Sequence, residues 1–153
     1  MVEVGQQAPD FTLVDQHGEQ VSLSQFRGRK NVVLLFFPYA FSGTCTGELC
    51  TIRDRLPTFV NDDTVTLAVS VDHKFAQRAF AEKEGYDFPL LADFWPHGEV
   101  AKKYGVFVDD KGAAKRGTFI IDKDGIVRWS VIHEIGEARD PAEYEKVLSD
   151  LAA

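Results

Sequence analysis

The chain has 153 residues, 44% of them hydrophobic, and a formal net charge of -7. This length suits one domain over 1–153, with enough apolar content for a buried core. An acidic chain without a basic run is a poor partner for nucleic acid or an anionic membrane, so we expect neither. Two cysteines are too few for the disulfide framework of a small secreted protein.

The N-terminal residues, MVEVGQQAPDF, contain no cationic segment followed by an apolar one, so we expect no signal peptide. The longest apolar run, at 32–38, is far shorter than the ~20 residues that span a bilayer. These features predict a cytoplasmic protein. Because cytoplasmic thiols are kept reduced, the two cysteines are better candidates for catalysis or metal binding than for a structural disulfide.

The first third of the chain predicts a hairpin, a strand and a helix. Two short runs, at 11–14 and 21–23, flank a polar loop, as in a β-hairpin. The run at 32–37 has no polar alternation, which predicts a strand buried on both faces. Apolar residues then recur at helical spacing from Leu49 to Phe59, and Pro57 is expected to end or kink that helix.

Strands and helices continue to alternate along the rest of the chain. The elements predicted there are a strand at 64–71, a helix from Phe75 closed by Gly85, a strand at 88–91, a helix at 96–104, two strands at 118–121 and 126–132 around a Lys-Asp-Gly turn, and a last helix after the Asp140-Pro141 cap.

This order of elements predicts the fold class. Strand–helix–strand units make parallel neighbours, whereas hairpins make antiparallel ones. We therefore expect an α/β fold with a mixed central β-sheet and helices on both faces. That is the plan of a single thioredoxin-like domain with an N-terminal β-hairpin extension.

Cys45 is the first candidate site residue. It follows a buried strand by a short loop and lies in the first turn of the predicted helix, where open α/β folds place their sites. The unsatisfied N–H groups and the positive dipole end of a helix stabilise a thiolate, which predicts a lowered pKa for the thiol. The alternative is an inert cysteine that packs as a small apolar residue.

Pro38 and Ser42 flank that cysteine. Pro38 has no N–H, so it cannot compete for acceptors around the thiol, and it can shield the sulfur from water. Ser42 offers a hydroxyl that both donates and accepts, although it can instead cap the helix. Together the three residues make the pattern P-x-x-x-[ST]-x-x-C.

That pattern, within PYAFSGTCTGELC, resembles the active-site motif of the peroxiredoxins, and is most similar to the alkyl hydroperoxide reductase E type. The likeness continues through GQQAPDFTL, VVLLFFP, FPLLADFWPHG, KKYGVF and RGTFIIDKDG. It implies a cofactor-free, thiol-dependent peroxidase that acts on hydrogen peroxide, organic hydroperoxides and peroxynitrite through a sulfenic acid, in antioxidant defence.

The resemblance also implies roles for individual residues. Cys45 matches the peroxidatic nucleophile, and Pro38 and Ser42, where the family has Thr, match the residues that pack on it. Arg116 matches an Arg in an R-x-T-F context, whose guanidinium can lower the thiol pKa and hold peroxide oxygens. From the sequence pattern alone, without the resemblance, we would expect Arg116 to be a surface residue at the start of a strand. Glu48 can orient Arg116, raise the thiol pKa, or favour the first helical turn.

Cys50 is expected to resolve the oxidised Cys45. In a regular helix their Cα atoms are roughly 8.7 Å apart, beyond the ~7 Å limit for a disulfide, so the helix must first unwind. Gly43 and Gly47 would ease that unwinding. The spacing resembles bacterioferritin-comigratory-protein peroxiredoxins, whereas in the E type an external thiol often resolves. The alternative for Cys50 is simple packing.

The resemblance implies a homodimer, and a reductant that is thioredoxin, a glutaredoxin-like redoxin or a low-molecular-weight thiol. Trp95 lies in a segment that resembles the family's dimer contact, or else is a core residue. Two competing functions are a redox-sensing thiol protein and a general thiol–disulfide oxidoreductase. The second normally uses C-x-x-C, whereas this chain has C-x-x-x-x-C. No metal is expected.

Overall fold

The computed structural model describes residues 2–137 and 139–152, and for Cys45 it describes the backbone alone. The strands in this part of the chain are β1 Thr12–Val14, β2 Gln20–Ser22, β3 Asn31–Phe36, β4 Thr64–Ser70, β5 Leu90–Ala92, β6 Phe107–Val108, β7 Ala113–Ala114, β8 Arg116–Ile121 and β9 Val127–His133. The helices are α1 Gly43–Asp54, α2 Leu56–Phe59, α3 Lys74–Glu84, α4 Glu99–Lys103 and α5 Ala142–Ala152, with a 3-10 turn at Leu23–Phe26. Of these, none is both long enough and apolar enough to cross a membrane.

Seven strands form one mixed sheet in the order β2-β1-β5-β4-β3-β8-β9. The central strands β3, β4 and β5 are parallel, as their connecting helices require. Strand β8 pairs antiparallel with β3 and with β9, and the N-terminal hairpin joins the other edge through β1 and β5. The mixed α/β sheet and the N-terminal hairpin expected from the sequence are therefore confirmed.

Strand β3 supplies both halves of the core because successive side chains of a strand point to opposite faces. Leu34 and Phe36 face a cluster that includes Tyr104, which follows α4. Val33 and Leu35 face a second cluster, built with residues of α1, α3 and α5. Every residue of β3 is buried, which accounts for its unbroken apolar run.

The helix expected at 96–104 is shorter, and α4 begins only at Glu99. Gly98 precedes it with a left-handed backbone, φ +71°, which ends the preceding turn. The Asp93 carboxylate then accepts the amides of Val100 and Ala101 at 3.1 and 2.9 Å, and so fixes where the helix starts. The 96–104 boundary was wrong because this carboxylate lies several residues upstream of the helix.

Three further details differ from the sequence expectations. The helix break falls at Arg55, and Pro57 lies in the first turn of α2, where a missing amide costs little. The two-residue strands β6 and β7 form a separate small hairpin that is too short to show periodicity. Trp95 is 80% exposed, so the alternative that it is a core residue is wrong.

Candidate active site

The segment between β3 and α1 places Cys45 at the start of a helix. The Phe37 amide donates to the Val69 carbonyl at 2.9 Å, which extends the pairing with β4 by one residue before the buried Pro38. Helix α1 begins at Gly43, so the backbone of Cys45 lies in its first turn. The side chain of Cys45 lies outside the described residues, and its expected contacts stay predictions.

The loop before α1 is held on both sides. The Ala40 amide donates to the Asp72 carboxylate at 2.8 Å, and the same oxygen accepts the Ser70 hydroxyl at 2.6 Å. Phe41 has a left-handed backbone, φ 67°, which a bulky residue adopts only when its surroundings impose it. Its ring packs 5.0 Å from that of Phe80 on α3. The approach of the chain to Cys45 is therefore fixed by tertiary contacts.

Ser42 occupies the N-cap position through its backbone. Its carbonyl accepts the amide and the hydroxyl of Thr46, both at 2.8 Å. Among the described residues, its own hydroxyl makes no capping hydrogen bond to the helix. Helix capping therefore does not explain this side chain, and the hydroxyl three residues before Cys45 remains a candidate donor at the site.

Arg116 reaches α1 because β8 lies next to β3 in the sheet. Its Nη1 donates to Glu48 Oε1 at 2.6 Å, and its Nε donates to the Ile135 carbonyl at 2.6 Å. Only 2% of the residue is exposed, so the alternative of a surface arginine is wrong. Of the roles considered for Glu48, the one observed is contact with Arg116, which fixes the orientation of its guanidinium.

Arg139 is a site residue that sequence analysis missed. Its Nε and Nη2 donate to the two oxygens of Glu48 at 2.9 and 3.0 Å, and its backbone amide adds a third bond at 2.7 Å. Its Nη1 donates to the Gly117 carbonyl and the Thr118 hydroxyl. The side chain is almost fully buried, yet it lies in a polar segment before Asp140 with no periodic signal.

The charges of this cluster, defined as Glu48, Arg116 and Arg139, do not cancel. Burial alone would raise the pKa of Glu48, but hydrogen bonds and charge from Arg139, together with the charge of Arg116, hold that pKa below its ordinary value. One ionised carboxylate thus faces two guanidiniums that are always protonated. Among these three side chains one positive charge is in surplus, close to the N-terminus of α1.

Cys50 lies on the same uninterrupted helix as Cys45. Its half-buried Sγ is 3.4 Å from the Tyr86 hydroxyl and 3.6 Å from the Glu84 carboxylate. It also packs against the core cluster of α1, α3 and α5. Because both cysteines belong to one regular helix, a disulfide between them requires that helix to open.

Glu48→Gln should weaken the fold in a pH-dependent way. The lowered pKa means that the carboxylate contributes stability above its unfolded value, near 4.5, and loses that contribution as pH falls through the folded value. Near neutral pH we expect the substitution to lower the free energy of unfolding by about 3 kcal/mol, because it leaves buried guanidiniums uncompensated. Chemical denaturation measures this.

The matched control for that experiment is Glu82→Gln, which removes an exposed carboxylate paired with Arg78 one helical turn away. An exposed pair contributes little, so this variant should unfold like wild type. Below pH 4.5 the difference in the free energy of unfolding between wild type and Glu48→Gln should shrink. A difference that stays constant down to acid unfolding would contradict the assignment.

Comparison with known proteins gives a consistent result. The AhpC/TSA family matches residues 4–130. Alkyl hydroperoxide reductase E of Mycobacterium tuberculosis (strain ATCC 25618 / H37Rv) is 49% identical over 153 residues, which cover all of both chains. The chloroplastic 2-Cys peroxiredoxin BAS1 of Spinacia oleracea is 36% identical over 158 residues, covering 97% of this chain and 59% of that protein.

Solved structures show the same relationship. The reduced 2-Cys peroxiredoxin of Plasmodium vivax superposes with a TM-score of 0.88 at 27% identity, covering 99% of this chain and 83% of that one. Peroxidoxin BcpB from Mycobacterium tuberculosis superposes with a TM-score of 0.84 at 32% identity, covering 99% and 97%. The chain therefore belongs to the AhpC/TSA family and is a peroxiredoxin, a thiol-dependent peroxidase of thioredoxin-like fold.

Proposed function

We propose that this peroxidase reduces hydroperoxides at Cys45, with Arg116 as the residue that stabilises the reacting oxygens. The observation that carries the proposal is the surplus positive charge of the Glu48–Arg116–Arg139 cluster at the N-terminal part of α1. A thiolate in the first turn of that helix gains both from this charge and from the helix amides. Pro38 is buried between β3 and α1, and we propose that it limits access of water to the Cys45 sulfur.

The reaction is a nucleophilic displacement on oxygen. The Cys45 thiolate attacks one oxygen of R–O–O–H, an S–O bond forms, and the O–O bond breaks. Sulfur is oxidised to a sulfenic acid, and the leaving R–O⁻ carries the electron pair and takes up a proton to give R–OH. Negative charge develops on the leaving oxygen, and a fixed guanidinium such as that of Arg116 stabilises it. The Ser42 hydroxyl supplies a further donor.

We also propose that Cys50 resolves the sulfenic acid. The Cys50 sulfur attacks the sulfur of Cys45, the S–O bond breaks, and the oxygen leaves as water, so that a disulfide forms. This step requires α1 to open, because Cys45 and Cys50 lie on the same helix. The disulfide would then be reduced by thioredoxin or a glutaredoxin-like redoxin, whereas a low-molecular-weight thiol would act directly on the sulfenic acid. All three reductants suit a cytoplasmic location.

Cys45→Ser should abolish the peroxidase activity, because a serine hydroxyl is not ionised at neutral pH. With hydrogen peroxide and dithiothreitol as substrates, we expect multiple turnovers for the wild-type chain and only background loss of peroxide for the variant. A Cys45→Ser protein that still consumes peroxide would overturn the assignment. A wild-type chain that reacts once and is not regenerated would instead favour a redox sensor.

Cys50→Ser should change the product of the first turnover but not its rate. After one equivalent of hydrogen peroxide without reductant, intact-mass spectrometry should find an internal disulfide in the wild-type chain. In Cys50→Ser it should find one added oxygen at Cys45, which a sulfenic-acid probe such as dimedone traps. A trapped sulfenic acid in both proteins, with Cys50 still free, would rule out the resolving role.

We further propose that the chain forms a homodimer through the aromatic patch, defined as Phe75, Phe94 and Trp95. These side chains are 66%, 46% and 80% exposed, and Phe94 lines a shallow pocket of about 200 Å³ with Val14 and Trp95. The nearby His73 ring lies 5.0 and 4.9 Å from those of Phe75 and Phe94. Such a concentration of exposed aromatics is typical of an interaction surface, and a second copy supplies the same apolar patch.

Trp95→Lys should shift the protein from dimer to monomer, because a charge at the centre of an apolar interface is left without a partner. Sedimentation velocity of the wild-type chain and the variant measures this shift. The matched control is Val4→Lys, which changes an exposed apolar residue outside the patch. A lysine at Phe26 would not serve, because Phe26 packs against the core. A monomeric wild-type chain would contradict the proposal.

A further inference from the structure

Tyr86 contacts both ends of the segment between the two cysteines, whose middle is held separately by the bonds of Glu48 to Arg116 and Arg139. Its hydroxyl donates to the Thr46 carbonyl at 3.1 Å and lies 3.4 Å from the Sγ of Cys50. Thr46 follows Cys45 directly, and both contacted residues belong to α1. One side chain therefore touches the two ends of the stretch that must open before a Cys45–Cys50 disulfide can form.

Tyr86 is itself held rigidly. It follows Gly85, whose left-handed backbone ends α3, and its amide donates to the Ala81 carbonyl at 3.0 Å. Its ring lies edge-on to Phe80 at 5.2 Å and stacks on Phe88 at 5.3 Å, and the residue is only 5% exposed. The hydroxyl cannot follow α1 when the helix moves, so opening of the helix must break its contacts.

The Tyr86 hydroxyl can donate to Thr46 and accept from Cys50 at the same time, because each contact uses a different proton. Tyr86 has a single O–H proton, and the Thr46 carbonyl can only accept it. The Cys50 thiol can then donate to the phenol oxygen or to the Glu84 carboxylate. Burial, followed by the hydrogen bond with Cys50, strongly raises the pKa of Tyr86, so the proton stays in place across the physiological range.

A neighbouring contact supports the same part of the helix. Arg53, one helical turn after Cys50, donates through Nη1 to the Glu84 carbonyl at 2.6 Å. The side of α1 that carries Cys50 is thus attached to the connection after α3 through Arg53 and Tyr86. Of these two contacts, the Tyr86 bond is the one that reaches back to Thr46, beside the peroxidatic position.

We propose that Tyr86 is a positioning residue that keeps residues 46–50 helical and thereby sets how oxidised Cys45 divides between two fates. In one, Cys45–SOH and Cys50–SH condense to a disulfide and water. In the other, a second peroxide oxidises Cys45–SOH to Cys45–SO₂H and leaves as R–OH. This inference rests on the proposed resolving role of Cys50. The Tyr86 contacts add to the cost of opening that the Glu48 bonds already impose, and so slow disulfide formation.

Tyr86→Phe removes the hydroxyl and keeps the ring that packs in the core. Loss of one neutral hydrogen bond should raise the population of the open segment roughly twofold to tenfold. We therefore expect disulfide formation to accelerate by that factor, and the fraction of sulfinic acid at a given peroxide concentration to fall. The rate of the first oxidation of Cys45 should not change, because Tyr86 takes no part in that step.

Tyr104→Phe is the matched control. Tyr104 is also fully buried, and its hydroxyl donates to a backbone carbonyl, that of Pro9, at 2.6 Å. It belongs to the core cluster on the opposite face of the sheet from α1. The control therefore loses an equivalent hydrogen bond, and its general cost in stability, without touching the segment between the cysteines.

The experiment has two readouts. Hydrogen exchange of the reduced proteins follows the amides of residues 46–50, which should exchange faster in Tyr86→Phe and normally in Tyr104→Phe. Rapid mixing with hydrogen peroxide, acid quenching and intact-mass spectrometry then give the amounts of disulfide and sulfinic acid over time. Faster exchange together with faster disulfide formation in Tyr86→Phe alone supports the proposal.

The failures of the two proposals can be told apart. Disulfide formation at the same rate in wild type, Tyr86→Phe and Tyr104→Phe would overturn the role of Tyr86 while leaving that of Cys50 intact. Equal acceleration in both tyrosine variants would mean a general loss of stability and would also overturn it. Oxidation of Cys45 with no disulfide in any of the proteins would overturn the role of Cys50, and this inference with it.

Discussion

The buried carboxylate of Glu48 is the constraint on which the site depends. It accepts hydrogen bonds from the guanidiniums of Arg116 and Arg139, and so joins α1 to β8 and to the segment before α5. Removing one partner of such a buried cluster leaves an uncompensated charge, so the loss of any one of the three side chains destabilises the other two. The cluster also retains a positive charge, which a thiolate at Cys45 would balance.

Helix α1 is thus held by contacts of different strength, those of Glu48, Arg53 and Tyr86 among them. Glu48 bonds to guanidiniums, and charge-assisted hydrogen bonds are roughly twice as strong as neutral ones. The contact of Tyr86 with Thr46 is a neutral one between a hydroxyl and a carbonyl. Glu48 lies between Thr46 and Cys50, so opening of this segment must release both contacts. In this account the Glu48 bonds supply most of the cost of opening, and the Tyr86 bond adjusts that cost without altering the charge of the site.

Local sequence patterns were sufficient for most of the fold. The apolar run of β3, the glycine that ends α3 and the two hairpin signals each depend on neighbouring residues, and all appear in the structure. Arg116 needed the family resemblance, since an arginine at a strand start carries no periodic signal. Arg139 and Tyr86 gave no sequence signal, because their partners lie 91 and 40 residues away along the chain.

The central claim is that the charged cluster stabilises a thiolate at Cys45. The most direct test is the rate of alkylation of Cys45 by iodoacetamide as a function of pH, measured in Cys50→Ser so that one thiol reports. The account predicts a thiolate that forms well below the ordinary thiol range, near about 8.5, and a shift back toward that range when Arg116→Met is added. A Cys45 that titrates as an ordinary thiol in both proteins would contradict the account.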